Sequence, residues 1–140
     1  MQRKTLRYLF LIIGIIGLVL SLYLVKHHYI PEPAFCDVNA LISCSTVNTS
    51  MYSEIYHVPV AFFGVVWFLG LIGFSFLLKK RKYEMPFFVW CSLGLLSLIY
   101  FIYGEIVLEA ICLWCTSVHV LVLVTFILAI VLYRKMHSAL

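Results

Sequence analysis

The chain has 140 residues, of which 64% are hydrophobic and only 11% are charged, with a formal net charge of +4. A soluble domain averages about half apolar and about a quarter charged residues, so this composition is typical of an integral membrane protein. The basic residues lie in short clusters between apolar runs, which fits membrane-topology signals better than a nucleic-acid-binding face. We therefore expect contact with the lipid bilayer and none with nucleic acid, in a single domain over residues 1–140.

Four apolar runs follow one another along the chain, at roughly residues 6–25, 58–78, 86–103 and 111–133. A helix needs about 20 residues to cross about 30 Å of hydrocarbon, so each run is long enough to span a bilayer. The connection between the third and fourth runs is short, which predicts that these two helices are antiparallel neighbours. The sequence thus predicts an all-α membrane protein built as a bundle of four transmembrane helices.

The positions of the basic residues predict the orientation of this bundle, because Lys and Arg mark cytoplasmic loops. Nine of the ten basic residues fall at helix ends that alternating topology places on one side of the membrane. They are Arg3, Lys4, Arg7, Lys79, Lys80, Arg81, Lys82, Arg134 and Lys135. Both termini are therefore predicted to be cytoplasmic, and a long extracytoplasmic loop joins the first and second helices.

That loop, at residues 27–57, is predicted to be the only long non-helical segment. Loops of this length are usually functional or disordered. Asn48 begins an Asn-Thr-Ser sequence, which would serve as a glycosylation acceptor if the loop is extracellular or lumenal. His27, His28 and His57 lie at the edges of the apolar runs, and we expect them at the membrane interface.

The five cysteines divide between the loop and the helices. Cys36 and Cys44 lie in the loop, and Cys112 and Cys115 open the fourth apolar run. The predicted topology places these four on one side of the membrane, whereas Cys91 lies near the other side and is expected to be a packing residue. Three interpretations of the four are open: two structural disulfides, a four-thiolate zinc site, or a redox relay of two pairs.

The Cys-x-x-Cys pair favours the relay. A disulfide across so short a loop restricts the unfolded chain little, so it is a weak structural staple. At a helix N-terminus the unpaired N–H groups and the helix dipole stabilise a thiolate, which is the reactive form of cysteine. Cys112 is nearer the helix start and should be the more activated thiol. A dithiol at the bilayer edge can meet both a protein disulfide in water and a lipid-soluble acceptor, for which a quinone is the natural candidate.

Three motifs then resemble one family when they are read together. "CDVNALISCSTVNTS" covers residues 36–50, "HVPVAFFG" covers 57–64, and "CLWC" covers 112–115. A Cys-x7-Cys loop after the first helix and a Cys-x-x-Cys at the start of the fourth resemble the vitamin K epoxide reductase family. The resemblance implies a four-helix bundle around a quinone.

The resemblance also implies a role for each cysteine of the two pairs. Cys36 and Cys44 would be the shuttle pair, and Cys112 and Cys115 the active-site pair. Cys44 would attack Cys112, and Cys115 would lie next to the quinone.

Further residues come from the same resemblance or from the apolar pattern. Ser50 and Asp37 match the family's loop serine and loop acid. Val60 and His119 stand where vertebrate members have an Asn and a Tyr that contact the vitamin K head group. Phe63 is a candidate wall of a quinone pocket. Candidate quinone contacts are therefore Ser50, Val60, Phe63 and His119, and no metal ligand is predicted.

The predicted function is that of a membrane thiol oxidoreductase similar to prokaryotic members of that family. It would take electrons from a DsbA-like, thioredoxin-fold protein and reduce menaquinone, ubiquinone or a related quinone, supporting disulfide formation at the extracytoplasmic face of a plasma membrane. The chain stops soon after the fourth run, so we expect that partner to be a separate protein. Two alternatives are a vitamin K quinone or epoxide reductase of an endoplasmic reticulum, and a non-enzymatic membrane scaffold with structural disulfides or zinc.

Overall fold

The computed structural model describes residues 2–30, 32 and 34–137, which form four long helices and a folded loop. All four of these helices have the length and the hydropathy needed to cross a membrane, so the predicted all-α membrane bundle is confirmed. The helices extend beyond most of the predicted apolar runs because their ends carry polar residues that a hydropathy pattern leaves out. The long helices are α1 (Arg3–Tyr29), α3 (Val60–Leu77), α4 (Glu84–Leu108) and α5 (Leu113–His137), and a short helix, α2 (Cys44–Asn48), lies in the loop.

The turn between α4 and α5 is tight, as predicted. Helix α4 ends at Leu108, and its C-cap residue, Glu109, has a left-handed conformation with φ of 49°. The Ala110 N–H donates to the Glu105 carbonyl at 3.3 Å, which is a common way of satisfying the last carbonyls of a helix. The chain therefore reverses within four residues, and α4 and α5 pack side by side.

The bundle core takes residues from all four long helices, and α1 and α3 pack most closely. Phe10, Phe68 and Phe87 are fully or almost fully buried in this core, and so is Cys91. Gly17 lets the two helices approach, because a Cβ at this position would lie 2.1 Å from the Phe68 ring. Small residues give this close contact inside membranes, where lipid offers no hydrophobic gain on association.

An ion pair closes the end of the bundle opposite the loop. Arg3 at the start of α1 pairs with Glu84 at the start of α4, and the Glu84 side chain is 2% exposed. Nearby, the Arg7 Nε donates to the Ser75 carbonyl in α3 at 3.0 Å. Two arginines of α1 thus tie three helices together at this end.

The segment between α1 and α3 is folded, so the expectation of a long non-helical loop was wrong in part. It contains α2, a 3₁₀ turn (Met51–Ser53) and a hairpin of β1 (Glu54–Ile55) with β2 (Val58–Pro59). Tyr56 and His57 form the hairpin turn with φ of 51° and 62°, as a type I′ turn requires. Local turn chemistry, rather than hydrophobic periodicity, produces these elements.

Buried polar contacts hold the loop against the end of α1. The Asn48 amide is 4% exposed and donates to the Leu24 carbonyl at 2.9 Å. His28 bonds to the Asn48 carbonyl at 2.7 Å and to the Glu54 carboxylate at 3.0 Å. His27 is also buried at this end of α1. Asn48 cannot accept a glycan in this fold, because its amide lies inside the protein.

Gly17→Ala tests the α1–α3 contact. The added methyl group must displace the buried Phe68 ring, so the free energy of unfolding should fall by about 1–3 kcal/mol. Gly73→Ala is the matched control, since a Cβ at Gly73 meets no atom within 4 Å. Thermal unfolding in detergent should show a lower Tm for Gly17→Ala alone; equal Tm values for both variants would contradict this packing.

Candidate active site

Four of the five cysteines converge at the loop end of the bundle. Cys36, Cys44 and Cys112 are buried in one apolar cluster together with Leu24 and Ala34, and Cys115 packs against it. Cys91 is buried in the separate bundle core described above. The fold thus brings together the two pairs that the sequence separates.

An isolated β-bridge brings the two cysteine pairs together. Ile42 and Ile111 form a parallel β-bridge. The Ile111 N–H donates to the Leu41 carbonyl at 2.8 Å, and the Ser43 N–H donates to the Ile111 carbonyl at 3.2 Å. Cys44 comes directly after Ser43, and Cys112 directly after Ile111. The bridge therefore brings the start of α2 beside the start of α5.

The loop cysteines form a disulfide, Cys36–Cys44, with a Cα–Cα distance of 5.7 Å. Asp37 organises the chain around it by accepting hydrogen bonds from the backbone N–H of Ala34 at 2.9 Å and of Ser45 at 3.0 Å. The Ser45 and Ser43 hydroxyls also donate to the same carboxylate. These bonds, those from Ser45 most of all, hold the pKa of Asp37 well below its usual range.

Cys112 lies at the N-cap of α5, one residue before the first helical residue. Its carbonyl accepts from the Thr116 N–H at 2.8 Å, and its Sγ accepts from the Cys115 N–H at 3.2 Å, the contact that a serine cap usually makes. The hydrogen bond from the Cys115 thiol lowers the pKa of Cys112, and the Cys115 N–H adds to this against the opposing effect of burial. Both cysteines of this pair are free thiols.

A cavity of about 300 Å³ extends from this pair into the bundle. Cys115, His119, Val60 and Phe63 line it, within walls that are mostly apolar. Small-ligand pockets are typically about 300–1,000 Å³, mostly apolar, with a few polar groups for orientation. The residues therefore fit the ring of a quinone, and Cys115 stands at its polar end.

The cavity also reaches the outside of the bundle between α3 and α4. Val66 of α3 and Leu93 of α4 line it, although 46% and 55% of these residues are exposed on the outer surface. Elsewhere along this seam Trp67 and Trp90 bridge the two helices, and each indole N–H donates to the other residue's carbonyl at 3.1 Å. The cavity thus opens sideways, toward the surface that lipid covers in a membrane.

His119 is the buried polar residue of α5 at this cavity. Its ring stacks on Phe101, with centroids 5.8 Å apart and planes 6° from parallel. In the described part of the chain, no residue hydrogen-bonds its ring nitrogens, so they are available to a ligand. Ser50 lies apart from this cavity and lines a smaller one of about 50 Å³, which Cys115 and His119 also border.

Sequence reasoning missed two residues at this site. Asn48 borders both cavities, but its sequence context suggested only a glycosylation acceptor. Glu105 accepts the Cys112 N–H at 3.2 Å and borders the smaller cavity. An acidic residue within a membrane helix is costly and often functional, which is the signal that could have identified Glu105. Among the described residues, no group of three or more His, Cys, Asp or Glu is placed to hold a metal ion.

Asp37→Asn tests the support of the loop disulfide. Losing the charged acceptor should loosen residues 34–45 and raise the rate of Cys36–Cys44 reduction by dithiothreitol about three- to tenfold. Glu32→Gln, which removes an exposed loop charge, is the control. Because the Asp37 pKa is lowered, its stabilisation is complete above about pH 4 and is lost only as the pH falls below that value. Wild-type reduction, corrected for dithiothreitol ionisation, should therefore stay constant from pH 7 to 4.5; an equal effect in Glu32→Gln would contradict this role.

The comparisons with known proteins agree with this geometry. Residues 8–130 match the model of the family described as "Vitamin K epoxide reductase family", which covers most of the chain. No individual curated protein matches at significant similarity. With four membrane-length helices and a match over this range, the chain belongs to the vitamin K epoxide reductase family of membrane oxidoreductases.

Proposed function

We propose that the protein is a thiol oxidoreductase that passes electrons from a protein dithiol to a quinone and so supports disulfide formation. Cys36 and Cys44 would receive electrons from a separate, DsbA-like protein of thioredoxin fold, and Cys112 and Cys115 would pass them on. The observation that carries the proposal is the contact of all four cysteines in one cluster, in which Cys36, Cys44 and Cys112 are buried and Cys115 also lines the large cavity. Neither structural disulfides nor a scaffold role requires Cys115 to line a cavity.

The loop end is proposed to be the extracytoplasmic face of a prokaryotic plasma membrane. The basic clusters lie at the start of α1, between α3 and α4, and at the end of α5, all at the end away from the cysteines. Basic residues favour the cytoplasmic side, so this arrangement supports the proposal that the dithiols face an oxidising compartment.

Electron transfer between the pairs is a thiol–disulfide exchange. With the helix pair oxidised and the loop pair reduced, the Cys44 thiolate attacks the Cys112 sulfur, and Cys115 leaves as a thiolate. Cys36 then attacks Cys44, which closes the loop disulfide and releases Cys112. Two electrons and two protons have then moved from the loop pair to the helix pair. The product is the state seen in the structure, with Cys36–Cys44 bonded and the helix pair free.

The chain's own residues then serve the second half-reaction. A bound quinone accepts two electrons and two protons from a dithiol. Phe63 and Val60 would enclose its ring, and a ring nitrogen of His119 would hold one of its oxygens. Cys115 faces this cavity, whereas Cys112 is completely buried beside the loop disulfide. The two cysteines of the helix pair thus face two different exchange partners.

Reduction by a protein requires the loop to move. Only 3% of Cys36 and 1% of Cys44 are exposed, so an incoming thiolate cannot reach either sulfur in this conformation. Phe35 lies beside Cys36 with 96% of its surface exposed, and Val38 and Leu41 are also exposed. A thioredoxin-fold protein docking on these apolar residues could draw the segment outward and expose Cys36.

Epoxide reduction is the alternative within this family. Vertebrate members place an Asn and a Tyr against the vitamin K head group. Val60 and His119 occupy those positions here, and both line the cavity. Val60 cannot hydrogen-bond an epoxide or a quinone oxygen, so the cavity supports a quinone held by His119 better than it supports the epoxide.

Cysteine variants test the relay with purified protein, and ubiquinone-1 or menadione reduction is followed by absorbance. Cys112→Ser or Cys115→Ser should abolish quinone reduction by any thiol. Cys36→Ser or Cys44→Ser should abolish reduction by a DsbA-like protein but not by dithiothreitol, which can attack the partly exposed Cys115 directly. Cys91→Ser is the control and should retain activity. Equal loss with both reductants in the loop variants would argue against a shuttle, and inactivity of the wild type would favour a scaffold.

The order of exchange has a separate test in Cys115→Ser. Here the Cys112 thiolate can attack Cys44 of the loop disulfide and expel Cys36, and alkylation of Cys36 then prevents the return reaction. A protease cut between Cys44 and Val58 should leave two fragments joined until a reductant is added. Mass spectrometry should identify a Cys44–Cys112 link, since the Ile42–Ile111 bridge places these residues side by side. A dominant Cys36–Cys112 link would reverse the roles of the loop cysteines.

A further inference from the structure

Glu105 contacts the active-site pair from the neighbouring helix. It lies in the last turn of α4, and its Oε1 accepts the backbone N–H of Cys112 at 3.2 Å. It also lines the smaller cavity together with Cys115 and His119. This cavity of about 50 Å³ is large enough for an ordered water molecule. A carboxyl group therefore borders the cavity that Cys115 and His119 share.

We infer that Glu105 is the proton carrier of the Cys112–Cys115 pair, an inference that rests on the function proposed above. When Cys36 closes the loop disulfide and releases Cys112 as a thiolate, protonated Glu105 gives this sulfur its proton. When the helix pair is oxidised again, the Glu105 carboxylate takes the proton of the Cys112 thiol, and the Cys112 sulfur bonds to Cys115. The two electrons of that bond formation go to the quinone, and the proton on Glu105 follows them. A proton that the loop dithiol releases in the next exchange then restores protonated Glu105.

The surroundings of Glu105 suit this role. No cation pairs with it among the described residues, so its charge is not fixed by an ion pair. Its negative charge opposes thiolate formation at Cys112. Neither Lys nor Arg lines the smaller cavity within the described ranges. The titratable groups that face Glu105 are Tyr52 from the loop, Tyr100 from α4, Cys112 before α5, and Cys115 and His119 from α5.

A purely structural role would be the capping of the Cys112 amide, and one pair of variants separates the two roles. Glu105→Gln keeps a carbonyl oxygen for the Cys112 N–H but cannot carry a proton. Glu105→Ala loses both, and Glu105→Asp keeps the carboxyl group. Glu109→Gln is the matched control, because Glu109 is an exposed acid at the end of the same helix.

The first measurement needs no quinone. The reduced full-length protein is treated with iodoacetamide at a series of pH values, and alkylation of Cys112 is measured by mass spectrometry. Because Cys112 is buried and reacts only when the loop opens, each variant's alkylation is normalised to its value at high pH, where the thiol is fully ionised. Without the carboxylate charge, Cys112 should ionise at lower pH, and its alkylation near pH 6 should rise about three- to tenfold in Glu105→Gln. Glu109→Gln should behave as the wild type does.

The second measurement is electron transfer. Oxidised protein is mixed with a reduced DsbA-like protein without quinone, and the appearance of the Cys112 thiol is followed after acid quenching. In Glu105→Gln this rate should fall roughly 100-fold, the usual scale for loss of a general acid or base, and Glu105→Asp should recover part of it. A more reactive thiol together with slower transfer is the signature of a lost proton carrier. If Glu105 only capped the Cys112 amide, Glu105→Gln would change neither the alkylation of Cys112 nor the transfer rate.

Two results would overturn the inference. One is a Glu105→Gln variant with wild-type transfer and an unchanged alkylation profile, while Glu105→Ala alone loses stability. The other is an equal effect of Glu109→Gln, which would show that the loss of any negative charge near this end of α4 produces the change. Failure of the wild type to reduce ubiquinone-1 would reject the proposed function. The alkylation and thiol-appearance measurements would still test the role of Glu105, because neither uses a quinone.

Discussion

The chemistry proposed for this protein depends on one backbone bridge. Thiol exchange requires two sulfurs to come into contact, and the two cysteine pairs lie far apart in the sequence. The bridge between Ile42 and Ile111 joins the segments directly before Cys44 and Cys112. The bonds to Asp37, the helix α2 and the contacts of Asn48 all hold the loop in the position from which this bridge can form. At the membrane edge, where water competes less, such bonds count for more than they would in an exposed loop.

Cys112 combines a structural and a reactive role. Its sulfur takes the place of the oxygen with which Ser, Thr or Asp usually caps a helix. The N–H that caps the helix also stabilises a thiolate, and the helix dipole acts in the same direction. When this sulfur joins a disulfide, it carries no charge and accepts the hydrogen bond less well. The start of α5 is therefore most stable when Cys112 is ready to react, which couples the redox state of the site to the order of the helix end.

The sequence was sufficient for the bundle and for the grouping of the cysteines, because bilayer thickness and charge distribution are physical constraints that appear directly in composition. It did not predict the loop's structure, because α2 and the hairpin depend on turns such as Tyr56–His57 and on tertiary contacts. The prediction of a glycosylation site at Asn48 failed for the same reason. The Asn-Thr-Ser sequence does not show that the Asn48 amide is buried and donates to the Leu24 carbonyl. Of the predicted quinone contacts, Val60, Phe63 and His119 line one cavity, whereas Ser50 borders the adjacent smaller one. The role of Glu105 required knowing that α4 turns back onto Cys112.

The seam between α3 and α4 determines how a ligand meets this protein. Since Val66 and Leu93 are both on the outer surface and in the wall of the cavity, a molecule can enter without passing through water. Its occupancy then follows the mole fraction of the molecule in the lipid rather than its aqueous solubility. A long apolar tail can remain in the bilayer while the ring lies inside, so tail length should govern partitioning and the ring alone should govern recognition. The protein would thus bind its ligand from the bilayer, and the amount of that ligand in the membrane would set the occupancy of the cavity.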